Sequence, residues 1–454
     1  MKSVILPMGL LAAIGVGFAT LLLGHSSEIA LTAAVIVLCA IWWVFEPIPI
    51  PATSLIPLAV FPLGGVLTPG ELGSCVVHPL VLLMMGGFML SMAMEQSGTH
   101  RRLALNMVGF FGGGASSRRL VFGFMAASAF LSMWISNAAT VLMLLPIVAA
   151  VVEKSTDRNL KVALLLGIAY SASVGGIVTP IGTPPNLVFM SVYSETFGEE
   201  PSFTEWIMWA APIAVIMLPL IGFWLTRGLK SDASLEMPAV GHWRYEERAT
   251  LIVFAITALL WITRKEPNGG WSHWVPGASD ASVAMLAVVV MHMIPNGKGK
   301  TLLTWESAVK IPWGVLLLFA GGIAIAKACI ESGLSEQLGE ALSGISALPL
   351  ILMIGVVCLA VTFLTEVTSN TATANLLLPI LAATAVVTAI DPRLIMIPAT
   401  ISASFAFMLP VATPPNAIVF GNGALTVRDM MRQGLVLNLF GVVVVTLACW
   451  LFFG

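Results

Sequence analysis

A short polar phrase is written twice into a chain otherwise suited to oil. Ser136-Asn137-Ala138-Ala139-Thr140 runs on to Leu144-Leu145-Pro146-Ile147, and Ser369-Asn370-Thr371-Ala372-Thr373 runs on to Leu377-Leu378-Pro379-Ile380. Farther along, Thr183-Pro184-Pro185-Asn186 recurs as Thr413-Pro414-Pro415-Asn416. Hydrophobic residues make up 58% of the 454 and charged residues 10%, against roughly 25% charged in a globular protein. The chain is therefore an integral membrane protein. Inside a bilayer Asn, Thr and Pro are costly, and broken backbone survives only where it lines protein or a watery cavity. Paired interruptions in the two halves of such a chain mark a binding site near mid-depth.

Hydropathy predicts an all-α polytopic protein with eleven crossings, near 4–23, 28–45, 51–68, 79–96, 160–193, 206–226, 249–263, 281–295, 312–330, 393–422 and 434–453. The apolar stretches 120–152 and 349–388 carry the Ser-Asn phrases near their centres. Each is too long for one crossing and reads as a re-entrant hairpin. With the N-terminus in the cytoplasm and the hairpins uncounted as crossings, most of the 21 basic residues fall inside. Only Arg264, Lys265, Lys327 and Arg393 stay outside, a strong positive-inside bias. The C-terminus is then external.

The repeat is wider than its motifs. Gly86-Gly87 precedes Gly321-Gly322 by 235 residues, the Ser-Asn phrases lie 233 apart and the Thr-Pro-Pro-Asn phrases 230 apart. Each half holds five crossings and one hairpin, and an odd number inverts the second half relative to the first. The expected organisation is an extra helix at 1–27, a first repeat at 28–226, a cytoplasmic linker at 227–248 and a second repeat at 249–454. The spans 160–193 and 393–422 must be broken by their proline pairs. Arg101–Gly112 and Leu334–Leu348 read as amphipathic helices near the interfaces. Lys2 and the apolar run behind it read as a retained first helix, since no A-x-A cleavage site follows. Cys39, Cys75, Cys329, Cys358 and Cys449 are scattered and read as structural.

The chemistry of the breaks is specific. Helix N-termini suit an anion, while unwound carbonyls and Asn or Ser oxygens suit a small hard cation. No Arg, Lys or His lies in either hairpin tip or either Pro-Pro break. An anion bound there needs a mobile counter-cation, and oxygen-rich tips suggest sodium; a neutral ligand also fits the lack of basic residues.

The stretch Ala403-Ser404-Phe405-Ala406-Phe407-Met408-Leu409-Pro410-Val411-Ala412-Thr413-Pro414-Pro415-Asn416 resembles the signature of the divalent anion:sodium symporters. Ser369-Asn370-Thr371, Trp42-Trp43 with Glu46 before Pro47, and Thr365-Glu366 resemble other motifs of that family. The resemblance covers nearly the whole chain. It implies a scaffold domain plus an elevator-type transport domain, a homodimer in a bacterial inner membrane, and no enzymatic activity. It implies sodium-coupled import of a small di- or tricarboxylate, most simply a C4-dicarboxylate such as succinate. One sodium would sit near Ser132, Ser136, Asn137 and Gly182, and a second near Thr365, Asn370 and Ala412. The substrate would meet Ser136, Asn137, Ser369, Asn370 and Thr371, with Thr183 and Thr413 or Pro415 closing the pocket. The family's first motif usually ends in Thr where this chain has Ala138, which removes one hydroxyl and leaves substrate identity open among dicarboxylates, citrate and sulfate.

Rival readings remain at this point. An exchanger or proton-coupled carrier on the same fold would usually carry a fixed basic group at a cation site. An intramembrane enzyme would need a nucleophile–base pair or a metal cluster. A channel would not need two inverted hairpins. Nothing points to nucleic acid. Glu46 and Glu366 read as helix-fixing rather than proton-relaying carboxylates.

Overall fold

The computed structural model describes residues 2–111, 116–154, 157–229, 241–265, 269–342 and 349–454. The described residues form helices and turns, with one isolated bridge between Pro295 and Thr301. Among the described residues eight helices are long and apolar enough to cross a bilayer. Lys2–Leu22 and Ser27–Phe45 pack together at the start of the chain. The 343–348 part of the expected second connector and residues 230–240, half of the 227–248 linker, lie outside the described residues.

After these two helices the element order runs twice. Pro79–Ser97 corresponds to Trp313–Ser332, Ser117–Ser132 to Leu350–Thr365, Asn137–Lys154 to Asn370–Thr388, and Phe203–Thr226 to Val427–Phe453. The packing is reciprocal. Pro79–Ser97 lies on Asp280–Met293 of the other half, and Trp313–Ser332 lies on Leu55–Leu63. The glycine pairs make both approaches possible. A Cβ on Gly86 would stand 2.6 Å from Ala284 Cβ, and one on Gly321 would stand 2.5 Å from the Ser54 carbonyl oxygen. Likewise Asn137–Lys154 packs on Pro414–Phe420, and Asn370–Thr388 on Pro184–Phe197.

The expected crossing at 51–68 differs from the structure. It is two short helices, Ile50–Thr53 and Leu55–Leu63, followed by a separate helix Pro69–Val76. Pro57 has no N–H for the Thr53 carbonyl, and Cys39 Sγ lies 4.0 Å from that oxygen. Ser54 Oγ accepts a hydrogen bond from Trp43 Nε1 at 3.1 Å, which pins the break to Ser27–Phe45. Thr68 starts the next helix with a reciprocal capping box to Glu71.

Both connectors begin at glycines in the left-handed region, Gly98 at φ 77° and Gly333 at φ 81°. There the chain turns sharply out of a long helix, which an L side chain resists. The first connector is Thr99–Phe110. Its buried Arg102 donates to Glu247 Oε2 at 2.7 Å and to the His242 carbonyl at 2.7 Å. The connector is thereby tied to the start of Tyr245–Ile262.

Candidate functional site

Both Ser-Asn phrases sit at the turn of a helical hairpin. Ser117–Ser132 turns through residues 133–136 into Asn137–Lys154, and Leu350–Thr365 turns through 366–369 into Asn370–Thr388. Both Thr-Pro-Pro-Asn phrases start a helix after an unwound segment. Arg158–Gly176 is followed by Pro184–Phe197, and Arg393–Ser402 by Pro414–Phe420. Proline is favoured at the first helical position, where an N–H has no partner anyway. Thr183 and Thr413 are the residues before the helices, both in extended backbone.

The two unwound segments are held by asparagine. Asn186 Nδ2 donates to the carbonyls of Gly176 at 3.0 Å and Thr179 at 2.7 Å. Asn416 Nδ2 donates to the carbonyls of Ala406 and Leu409, both at 3.0 Å. Each amide thus occupies carbonyls that the broken helix leaves open. The second segment has a further brace. Buried Glu366 accepts from the Met408 N–H at 2.8 Å, the Leu409 N–H at 3.0 Å and Asn438 Nδ2 at 2.7 Å. Asn438 Oδ1 accepts the Phe407 N–H at 3.2 Å, and the Tyr170 hydroxyl donates to the Phe407 carbonyl at 2.7 Å. In the first half Trp206 Nε1 donates to the Ile177 carbonyl at 2.8 Å instead.

The four breaks meet at one cavity of about 810 Å³. Ser136, Asn137, Thr183, Ser369, Asn370, Thr371, Thr413 and Pro415 all line it, together with Gly182, Ala412 and Ala138. Those residues are the first turns, or the residues just before them, of four helices. Each helix start carries roughly half a positive charge, so the cavity favours a negative ligand. The two Pro-Pro starts lack N–H groups at their first two positions, which leaves donation to the hairpin helices. No Arg, Lys or His lines the cavity; Glu46 is its one ionisable group among the described residues.

Ser132 and Thr365 stand behind this lining. Ser132 Oγ donates to Asn137 Oδ1 at 2.5 Å, and Thr365 Oγ1 donates to Asn370 Oδ1 at 2.9 Å. Thr365 Oγ1 also lies 2.8 Å from the Ala403 carbonyl. Gly182 is so close to its neighbours that a Cβ would stand 2.4 Å from the Gly176 carbonyl oxygen and 3.0 Å from that of Ser132. The same arrangement of hydroxyl, carboxamide and carbonyl oxygen thus occurs in each half. Among the described residues no group of His, Cys, Asp and Glu could hold a metal ion.

The opposite wall was not foreseen. It comes from Val44, Glu46, Ile50 and Pro51, and from Pro312, Gly314, Val315 and Leu318. Glu46 has φ 46° and ends Ser27–Phe45, its N–H bonded to the Trp42 carbonyl. The Glu46-Pro47 pair was the one available signal for this wall. The cavity is open on one side, where Val411 is 82% and Val367 63% exposed.

Helix breaks brought in pairs to one anion-favouring cavity within a bundle of bilayer-length helices define a membrane transporter. Comparison with known proteins agrees. The sequence profile of the citrate transporter family matches residues 40–394. The sodium-dependent dicarboxylate transporter SdcS of Staphylococcus saprophyticus is 38% identical over 436 residues, covering 90% of this chain and 83% of that protein. SdcS of Staphylococcus aureus is 35% identical over 460 residues, covering 95% and 88%. The chain belongs to the divalent anion:sodium symporter family. Two solved structures share its fold at low identity. The Alcanivorax borkumensis YdaH transporter superposes with a TM-score of 0.60 at 14% identity, covering 87% of this chain and 88% of its own. Neisseria gonorrhoeae MtrF gives 0.59 at 12%, covering 94% and 95%.

Proposed function

We propose that this protein imports a small dianion, a C4-dicarboxylate such as succinate, together with sodium. The observation that carries the reading is the convergence of both Ser-Asn tips and both Thr-Pro-Pro-Asn starts on one cavity without a basic side chain. Four helix starts attract the carboxylates, but roughly half a charge each, screened by protein and water, does not replace a counter-ion. Sodium supplies it. One ion sits among the oxygens of Ser132, Ser136, Asn137 and Gly182, the other among those of Thr365, Asn370 and Ala412. Ser136, Asn137, Ser369, Asn370 and Thr371 hold the substrate, and Thr183, Thr413 and Pro415 close it in. The sodium-dependent dicarboxylate transport named for the staphylococcal relatives supports this assignment.

Two sodium ions balance a dianion. A third leaves one net charge, on which the membrane potential acts with about 2.3 kcal/mol per 100 mV. The two halves are inverted repeats, with the N-terminus in the cytoplasm of a bacterial cell and the C-terminus outside. The hairpins and broken spans move as one elevator-like unit against the scaffold of a homodimer. In that orientation Glu46 and Pro312 lie at the inner face, and the open side of the cavity is cytoplasmic.

The test is uptake of labelled succinate into proteoliposomes of the purified protein. An inward sodium gradient drives accumulation, and replacing sodium with potassium abolishes it. Equal uptake in both salts refutes the sodium coupling.

A further inference from the structure

A second large cavity lies away from the substrate site. It is a groove of about 770 Å³, within the size range of ligand pockets, about 300–1,000 Å³. Its floor is the outer face of Ser117–Ser132 where that helix meets Phe203–Thr226. A Cβ on Gly222 would stand 2.4 Å from the Phe122 ring, so the two helices touch closely there. Phe122 and Phe223 meet edge to face at 5.4 Å. Above this contact the end of the first connector contributes Phe110 and Phe111, and Ala126 leaves the floor low.

One end of the groove differs. Arg118 and Arg119 line it side by side, exposed, with no acidic residue among the described residues of the lining. Neither guanidinium makes an ion pair among the described residues, although their neighbour Arg102 is fully engaged. Two free cations at the mouth of an apolar slot match a ligand with a negative head and a long apolar tail. Apolar surface facing lipid gains nothing by binding more hydrocarbon alone. The arginines therefore supply the selectivity, while the slot sets the place of the chain. Basic pockets between helices on the cytoplasmic side are suited to anionic headgroups.

We propose that this groove binds one anionic glycerophospholipid, its phosphate on Arg118 and Arg119 and an acyl chain along Phe122, Ala126 and Phe223. The assignment to the inner leaflet rests on the orientation proposed above; the binding itself does not. The lipid bridges the first arm of the hairpin, the end of the connector Thr99–Phe110 and Phe203–Thr226.

The experiment is native mass spectrometry of the purified full-length protein in detergent with equal amounts of phosphatidylglycerol and phosphatidylcholine. Phosphatidylglycerol is retained preferentially. The double variant Arg118→Gln/Arg119→Gln loses that preference by about thirty-fold, the weight of two arginines near an anionic surface, because the zwitterionic phosphatidylcholine loses far less. Ala126→Trp fills the slot, keeps both guanidiniums and expels the lipid. Glycerol 3-phosphate at equal concentration does not compete. Unchanged phosphatidylglycerol retention in either variant overturns the proposal. So does full displacement by glycerol 3-phosphate, which makes the arginines a plain phosphate site. Dissociation of a dimer by Ala126→Trp overturns it too, because a second copy then covers the groove. Each of these outcomes is read without transport, so failure of the succinate assay leaves them intact.

Discussion

Replacing Glu366 by Gln should loosen the second break without changing its shape. The carboxylate accepts through both oxygens: Oε1 takes the Met408 N–H and Asn438 Nδ2, and Oε2 takes the Leu409 N–H. Glutamine keeps one oxygen in place and turns an NH2 group toward an N–H. One buried backbone donor is then orphaned, costing about 1–3 kcal/mol. The remaining two bonds lose their charge assistance, roughly 1 kcal/mol each. The sum is about 3–5 kcal/mol, large for a single isosteric change. Unfolding of the purified protein in mixed micelles, titrated with denaturing detergent, measures it. Asn438→Ala and the double variant complete a cycle, with an expected coupling of about 1.5–3 kcal/mol for a hydrogen bond to a charged group. Because the brace holds the chain just before Ala412, the sodium concentration for half-maximal uptake should also rise. A Glu366→Gln protein within about 0.5 kcal/mol of wild type, or strictly additive single variants, would refute the bracing role.

Three further outcomes are expected. Gly182→Ala forces a Cβ against the Gly176 and Ser132 carbonyl oxygens, and sodium-driven uptake should fall at least about tenfold, the effect of roughly 1.4 kcal/mol; unchanged sodium dependence counts against the first cation site. Ala138→Thr adds a hydroxyl to the cavity lining, and the ratio of succinate to citrate or sulfate uptake should change several-fold; a constant ratio removes this position from specificity. Glu247 gives a pH signature at the start of Tyr245–Ile262: burial raises its carboxyl, but hydrogen bonds from Arg244 and Arg102 and the charge of Arg244 outweigh it and hold it at about 2. A depressed carboxylate contributes stability above its unfolded value and loses it as pH falls through the folded one. The difference in melting temperature between wild type and Glu247→Gln should therefore be constant above about pH 4.5 and shrink toward pH 2. A difference that grows with acid would refute the pairing.

The repeated motifs carried much of the fold because helix interruption is local chemistry. Pro184-Pro185 and Pro414-Pro415 lack the N–H groups a continuing helix needs, and both pairs begin a new helix where the text placed the break. The bounds of the two helix–turn–helix stretches were equally legible, at 120–152 against Ser117–Lys154 and at 349–388 against Leu350–Thr388. The crossing at 51–68 was not, since Ser54 breaks it through contacts with Trp43 and Gly321, which hydropathy does not report. The braces were missed for the same reason. In the sequence Asn186 and Asn416 are only motif letters, yet each closes its own unwound segment through carbonyls seven to ten positions back. Asn438 and Thr446 interrupt the otherwise apolar stretch 434–453, and that rarity was the only signal for Asn438.

By itself the sequence determined that this chain sits in a bilayer, that it is built twice over, and that its polar breaks come in matched pairs. These follow from hydropathy, from spacing and from the backbone limits of proline, all readable along one dimension. Only the tertiary structure decided that the four breaks share one cavity, that Ser132 and Thr365 stand behind the lining rather than in it, and that Val44–Pro51 and Pro312–Leu318 close the far side. Those walls are some 260 residues apart in the chain. What joins them is helix packing allowed by Gly314 against Pro51 and Gly321 against Ser54, an energy that depends on the whole bundle and is written in no single stretch of it.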